Sequence, residues 1–148
     1  MILLAAAVAV NAFLNAFAGT WTCTPHLPGG VRAPASTWTI AAAPKSSWAV
    51  VKWSSRGANG TAFVGYLAPD AQWIYEDFHS DGSFATNTSP GPQGGTWTWN
   101  GTFTSPQRVQ HGAIQWHRGG NGFRQGFGRL LGASFRETSY ATCSRATP

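Results

Sequence analysis

Thr96–Phe103 reads TWTWNGTF, and this alternation constrains the fold more than any other stretch of the chain. Trp97, Trp99 and Phe103 fall on one side; Thr96, Thr98, Asn100 and Thr102 fall on the other. A period of two is a strand with one buried and one wetted face, whereas a helix would scatter these rings around its axis. The same pattern recurs in Gly19–Thr24 (GTWTCT) and Ser36–Ala42 (STWTIAA), and Ser47–Ser54 (SWAVVKWS) reads as the third strand. It recurs less strictly in Thr61–Leu67, Gln72–His79, Gly82–Thr88, Arg108–Arg118, Phe123–Leu130 and Ser134–Cys143. Pro69-Asp70, Asp81-Gly82, Ser89–Gly95 and Gly119–Gly122 supply turn residues between these runs. The spacing predicts nine or ten strands and no helix after residue 18, with connections short enough for neighbours to pair antiparallel. A chain of 148 residues makes one domain of this.

Such a meander closes into a barrel or splits into a sandwich. Cys23 lies in the first strand and Cys143 in the last. Nothing of metal-ligand spacing accompanies them, which leaves a disulfide or two free buried thiols. A disulfide needs its Cα atoms within about 7 Å, so a bonded pair places the first strand beside the last and closes the barrel. It also implies an oxidising compartment, hence a secreted or periplasmic protein. If Cys23 and Cys143 are opposed in an antiparallel pair, Trp21 faces Arg145 on the same side. An arginine over an indole is a favourable cation–π contact.

Residues 1–18 stand apart. Met1–Val10 is an apolar run of signal-peptide length, too short to span a bilayer, and Ala16-Phe17-Ala18 is a small-x-small cleavage pattern, although no Lys or Arg precedes it. The expected division is a cleaved signal peptide at 1–18, or else a short helix plugging the fold, followed by a single β-barrel domain at 19–148. The formal charge is +5, but the ten Lys and Arg are scattered singly, with no recognition-helix pattern. This reads as a solvated basic surface and not as a nucleic-acid interface.

Phe17 followed by Gly19-Thr20-Trp21 resembles the G-x-W signature of lipocalins and related calycin barrels. That resemblance implies an arginine from the last strand packing across the tryptophan, the place that the register gives Arg145. Phe63-Val64-Gly65-Tyr66, with Trp73-Ile74-Tyr75 and Asp81-Gly82, is similar to ten-stranded nitrobindin-like barrels and to an uncharacterised bacterial lipocalin-like domain family. The resemblance implies a ligand-holding barrel. It does not carry haem across: Thr22-Cys23-Thr24 replaces the Gly-rich run of nitrobindin-like proteins, and the last histidine, His117, precedes the final strands.

Alternation places Trp21, Trp38, Trp97, Trp99, Phe103, Phe123 and Phe127 inward, and about ten strands enclose room for a small apolar or amphipathic molecule. On Gln72–His79, Trp73, Tyr75, Asp77 and His79 share one face and Ile74, Glu76 and Phe78 the other. Both faces mix polar with apolar, so periodicity does not choose between them. An inward Asp77–His79 pair would orient a ligand or exchange protons; an inward Glu76 would have a raised pKa. Glu137 shares parity with Cys143 and Arg145, which predicts an inward carboxylate partnered by Arg145 or Gln125. With Tyr66 on the adjoining strand, the expected ligand-binding set is Trp38, Tyr66, Trp73, Tyr75, Glu76, Asp77, His79, Trp97, Trp99 and Glu137. Trp21 and Arg145 are structural in this reading, and no catalytic residue, metal or cofactor is assigned.

His111 and His117 are too far apart on one strand to share a metal. Three readings of function follow: an exported small-molecule-binding barrel, a barrel enzyme using Glu76, Asp77, His79 or Glu137, and a Trp-bearing carbohydrate-binding sandwich.

Overall fold

The computed structural model describes residues 2–147, with side chains from residue 9 onward. A helix, α1 (Ile2–Phe17), is followed by strands β1 (Gly19–His26), β2 (Ser36–Ala42), β3 (Ala49–Ser55), β4 (Ala58–Leu67), β5 (Gln72–His79) and β6 (Phe84–Ser89). A two-residue strand, β7 (Pro92–Gln93), precedes β8 (Thr96–Thr104), β9 (Val109–Gly119), β10 (Gly122–Leu131) and β11 (Ser134–Arg145). Each strand pairs antiparallel with the next, β6 pairs with β8, and β1 pairs with β11. The result is a closed ten-strand up-and-down barrel with β7 as an extra strand on the edge of β8. The sandwich alternative is thereby excluded. Closure pairs every long strand on both sides and leaves the ring no bare edge over most of its length.

The seam between the first and last strands has the expected register. Cys23 is opposite Cys143 and Trp21 opposite Arg145. The two cysteines are bonded, with Cα atoms 4.0 Å apart and 120 residues between them. The Arg145 guanidinium lies 4.0 Å above the Trp21 ring, and Arg145 donates to the Ala18 carbonyl at 2.9 Å. Trp21 itself is fully buried and donates through Nε1 to the Phe17 carbonyl at 2.8 Å. The G-x-W residues therefore tie the end of α1 to the start of β1. The Trp21 bond satisfies a carbonyl that the helix C-terminus leaves unpaired, and Arg145 holds the carbonyl of Ala18, the residue just beyond the helix.

Aromatic rings fill the end of the barrel nearest α1. Val10, Phe13 and Phe17 project from one face of the helix and are buried among Trp21, Trp73, Trp97, Trp99, Trp116 and Phe123. Phe13 meets Trp97 edge-on with ring centroids 5.5 Å apart, and lies 5.6 Å from Trp116. Edge-to-face packing sets the positive rim of one ring on the negative face of another, which adds to the burial of area. This end is a packed core that includes the buried face of α1.

One departure from simple alternation reshapes the last hairpin. Phe127 pairs with Ser139 but Gly128 pairs with Glu137, so Thr138 is an extra, bulged residue on β11. A bulge reverses the parity beyond it. Glu137, expected inside with Cys143, is therefore on the outer wall and exposed. It accepts from Arg124 through both oxygens at 2.5 and 2.6 Å. Gly128 permits the bulge, since a Cβ there would collide with the Arg136 carbonyl oxygen.

Candidate functional site

The end of the barrel away from α1 holds a cavity of about 440 Å³. Its wall includes Tyr75, Asp77 and His79 of β5, Ala85 and Asn87 of β6, Phe103 of β8, Ile114 of β9 and Phe127 of β10. The neighbouring strands settle which face of β5 points inward. Asp77 is opposite Ala62 and Ala85, and Tyr75 is opposite Val64 and Asn87, all of them buried. Small residues beside Asp77 leave its carboxylate space inside the barrel. The other face presents Phe78, which is 51% exposed, and Glu76, whose Oε2 accepts from Thr86 on the outer wall at 2.8 Å. Glu76 and Glu137 therefore lie outside, and the interior carboxylate is Asp77.

Asp77 is 8% exposed and both its oxygens are held. His79 Nε2 lies 3.0 Å from Oδ2, and Trp53 donates its indole N–H to Oδ1 at 3.1 Å. Trp53 belongs to β3, two strands from Asp77, and reaches it across β4. It crosses at Gly60, which is opposite both Trp53 and His79. A Cβ at Gly60 would lie 2.5 Å from the indole. The glycine is thus a gap in the wall of side chains through which the tryptophan orients the acid. His79 is further fixed by edge-on contacts with Trp53 at 4.9 Å and Phe103 at 5.4 Å.

The electrostatics follow from this geometry. The hydrogen bond to Asp77 raises the His79 pKa above its ordinary 6.5, against the opposing effect of partial burial. Complete burial, reinforced by the nearby Asp77 charge, holds the Tyr75 phenol protonated well above its usual range. The site presents a neutral phenol, an ionisable imidazole braced on a carboxylate, and the Asn87 amide. Asn87 is 4% exposed and its Nδ2 has no partner among the described residues. A buried donor without a partner is costly.

Of the ten expected ligand-binding residues, Tyr75, Asp77 and His79 line the cavity. Trp73, Trp97 and Trp99 point inward but are buried around Phe13 at the α1 end, with Tyr66 packed beside Trp73 at 5.5 Å. Trp38 stacks on Trp53, centroids 6.3 Å apart, and supports the site from behind. Sequence reasoning did not single out Trp53 or Asn87. Trp53 shares parity with the buried Ala49 and Val51, which is the signal that marks it inward. No group of metal-ligating side chains occurs among the described residues.

No family model matches this chain, and no curated protein matches it; the closed antiparallel barrel is compatible with a calycin-like fold.

Proposed function

We propose that this chain is an exported barrel that holds a small amphipathic molecule in the cavity at the end away from α1. The observation that carries the reading is a cavity whose buried polar cluster, Asp77 held by His79 and Trp53, faces an apolar wall of Ala85, Phe103, Ile114 and Phe127. A few fixed polar groups in an otherwise apolar concavity orient a ligand while burial of its body supplies affinity. The Cys23–Cys143 bond supports export. Native mass spectrometry of protein purified without denaturation from an exporting host tests this. The expected result is a discrete added mass that is lost in Ile114→Trp, which fills the cavity. A bare polypeptide mass in both, with no saturable uptake of an apolar fluorescent probe, rejects it.

A second reading is acid–base chemistry at His79, favoured by its 3.0 Å contact with Asp77, an arrangement that fixes an imidazole and stabilises its charged form. On that reading Asp77→Asn abolishes turnover of a substrate and leaves the melting temperature within a few degrees. The carbohydrate-binding reading requires coplanar tryptophans on an outer face, but the stacked pairs Trp97–Trp99 and Trp38–Trp53 project inward.

A further inference from the structure

The cavity is not sealed by the barrel wall. β9 pairs with β10 only as far as Ala113 and Gly128. Beyond that point β9 continues along β8 to Val109, and β10 continues along β11 to Leu131, each without the other. The cavity reaches this split: Gln110, His111 and Gly112 line it from one lip, Gly128 and Arg129 from the other. Neighbouring β9 residues, whose side chains alternate between the two faces, all border the cavity, as a passage between strands requires.

The β10 lip is basic. Arg129 lies directly opposite Arg136 of β11, which stands one strand behind the lip and does not itself line the cavity. Like charges directly opposed across a strand pair are destabilising. Both arginines are exposed, and neither makes an ion pair or side-chain hydrogen bond among the described residues. The acid nearest in sequence, Glu137, faces the outer wall and is engaged by Arg124. Across the split stands His111, also exposed.

Resting on the cavity-binding reading above, we infer that the ligand is an anionic amphiphile: its apolar body lies along Phe103, Ile114 and Phe127, and its carboxylate, sulfonate or phosphate sits in the split against Arg129, with Arg136 of the next strand adding its charge from behind. An anion there offsets the like-charge repulsion, and the Arg129 guanidinium meets it with several donors. The interior end of the ligand meets Asp77 and Tyr75, which favour a neutral, hydrogen-bonding group over a second negative charge.

Fluorescence titration with two probes tests this. Anilinonaphthalene sulfonate and uncharged N-phenyl-1-naphthylamine share an aromatic body and differ in the sulfonate. The sulfonate is expected to bind about tenfold more tightly at low salt, and to lose that advantage as salt rises. Arg129→Gln with Arg136→Gln is expected to abolish the advantage while changing the Kd of the neutral probe less than about twofold. Equal affinity for the two probes, or an advantage that survives the double substitution, overturns the anionic inference and leaves the cavity reading standing. No saturable binding of either probe, or binding untouched by Ile114→Trp, overturns both. On the unsubstituted chain, a sulfonate advantage that does not shrink with salt overturns the anionic inference without any variant.

Discussion

At the scale of single residues, the polar end of the cavity is organised by the contact between His79 and Asp77. The His79 pKa is raised in the folded chain by its bond to Asp77. The stabilisation this brings is therefore fully present below the unfolded value of about 6.5 and is lost as pH rises through the higher folded value. Thermal melting between pH 5 and pH 9 is expected to show stability falling across the upper part of that window. His79→Gln is expected to flatten that part of the profile; an unchanged profile removes the pair from the account. Glu137→Gln, by contrast, breaks an exposed pair with Arg124 and is expected to cost no more than about 1 kcal/mol, with no change in probe binding. The contrast shows where sequence reading ended. Parity alone placed Glu137 inside, and one extra residue at Thr138 put it outside. Gly126 and Gly128 were the only sequence traces of that bulge: a Cβ at the first would collide with the Glu137 carboxylate, and at the second with backbone.

At the scale of elements, registers were legible and faces were less so. The opposed cysteines fix every pair along β1 and β11, so once they are paired Trp21 against Arg145 follows from counting along the sequence. β5 has no such anchor. Its faces carry Trp, Tyr, Asp and His against Ile, Glu and Phe, so its orientation follows only from buried Ala62, Val64 and Ala85 on neighbouring strands. The Trp53–Asp77 bond needs the register of three strands at once, with a glycine in the middle one. From composition α1 reads first as a leader and second as a plug. Docked as it is, Phe13 is fully buried among four tryptophans. Phe13→Ala is expected to destabilise the barrel by about 3–5 kcal/mol in a denaturant titration, the ordinary effect of emptying a buried ring site. A change below about 1 kcal/mol would show that the helix contributes nothing to the folded barrel.

At the scale of the whole molecule, the ring is held by two seams of different kinds. One, β1 with β11, is covalent through Cys23 and Cys143. The other, β6 with β8, rests on close backbone approach at Gly101, where a Cβ would collide with the Thr86 carbonyl oxygen. The disulfide spans 120 residues. Restricting so long a loop in the unfolded chain is worth about 4–5 kcal/mol on the chain-entropy model. Reduction, or Cys143→Ser, is expected to lower the melting temperature by more than about 10 °C; superimposable melts with and without reductant would show that the staple is dispensable.

The same seam governs the order of events during folding. Because the first strand waits for the last, every intervening strand must emerge before the ring can shut, and until then an apolar helix and two unpaired edges stay open to other chains. Contacts of such long sequence separation form slowly. A chain whose last strand has not yet docked is an open curl that can recruit its own kind edge to edge, so this protein's hazard lies in the interval before the ring closes more than in its finished form.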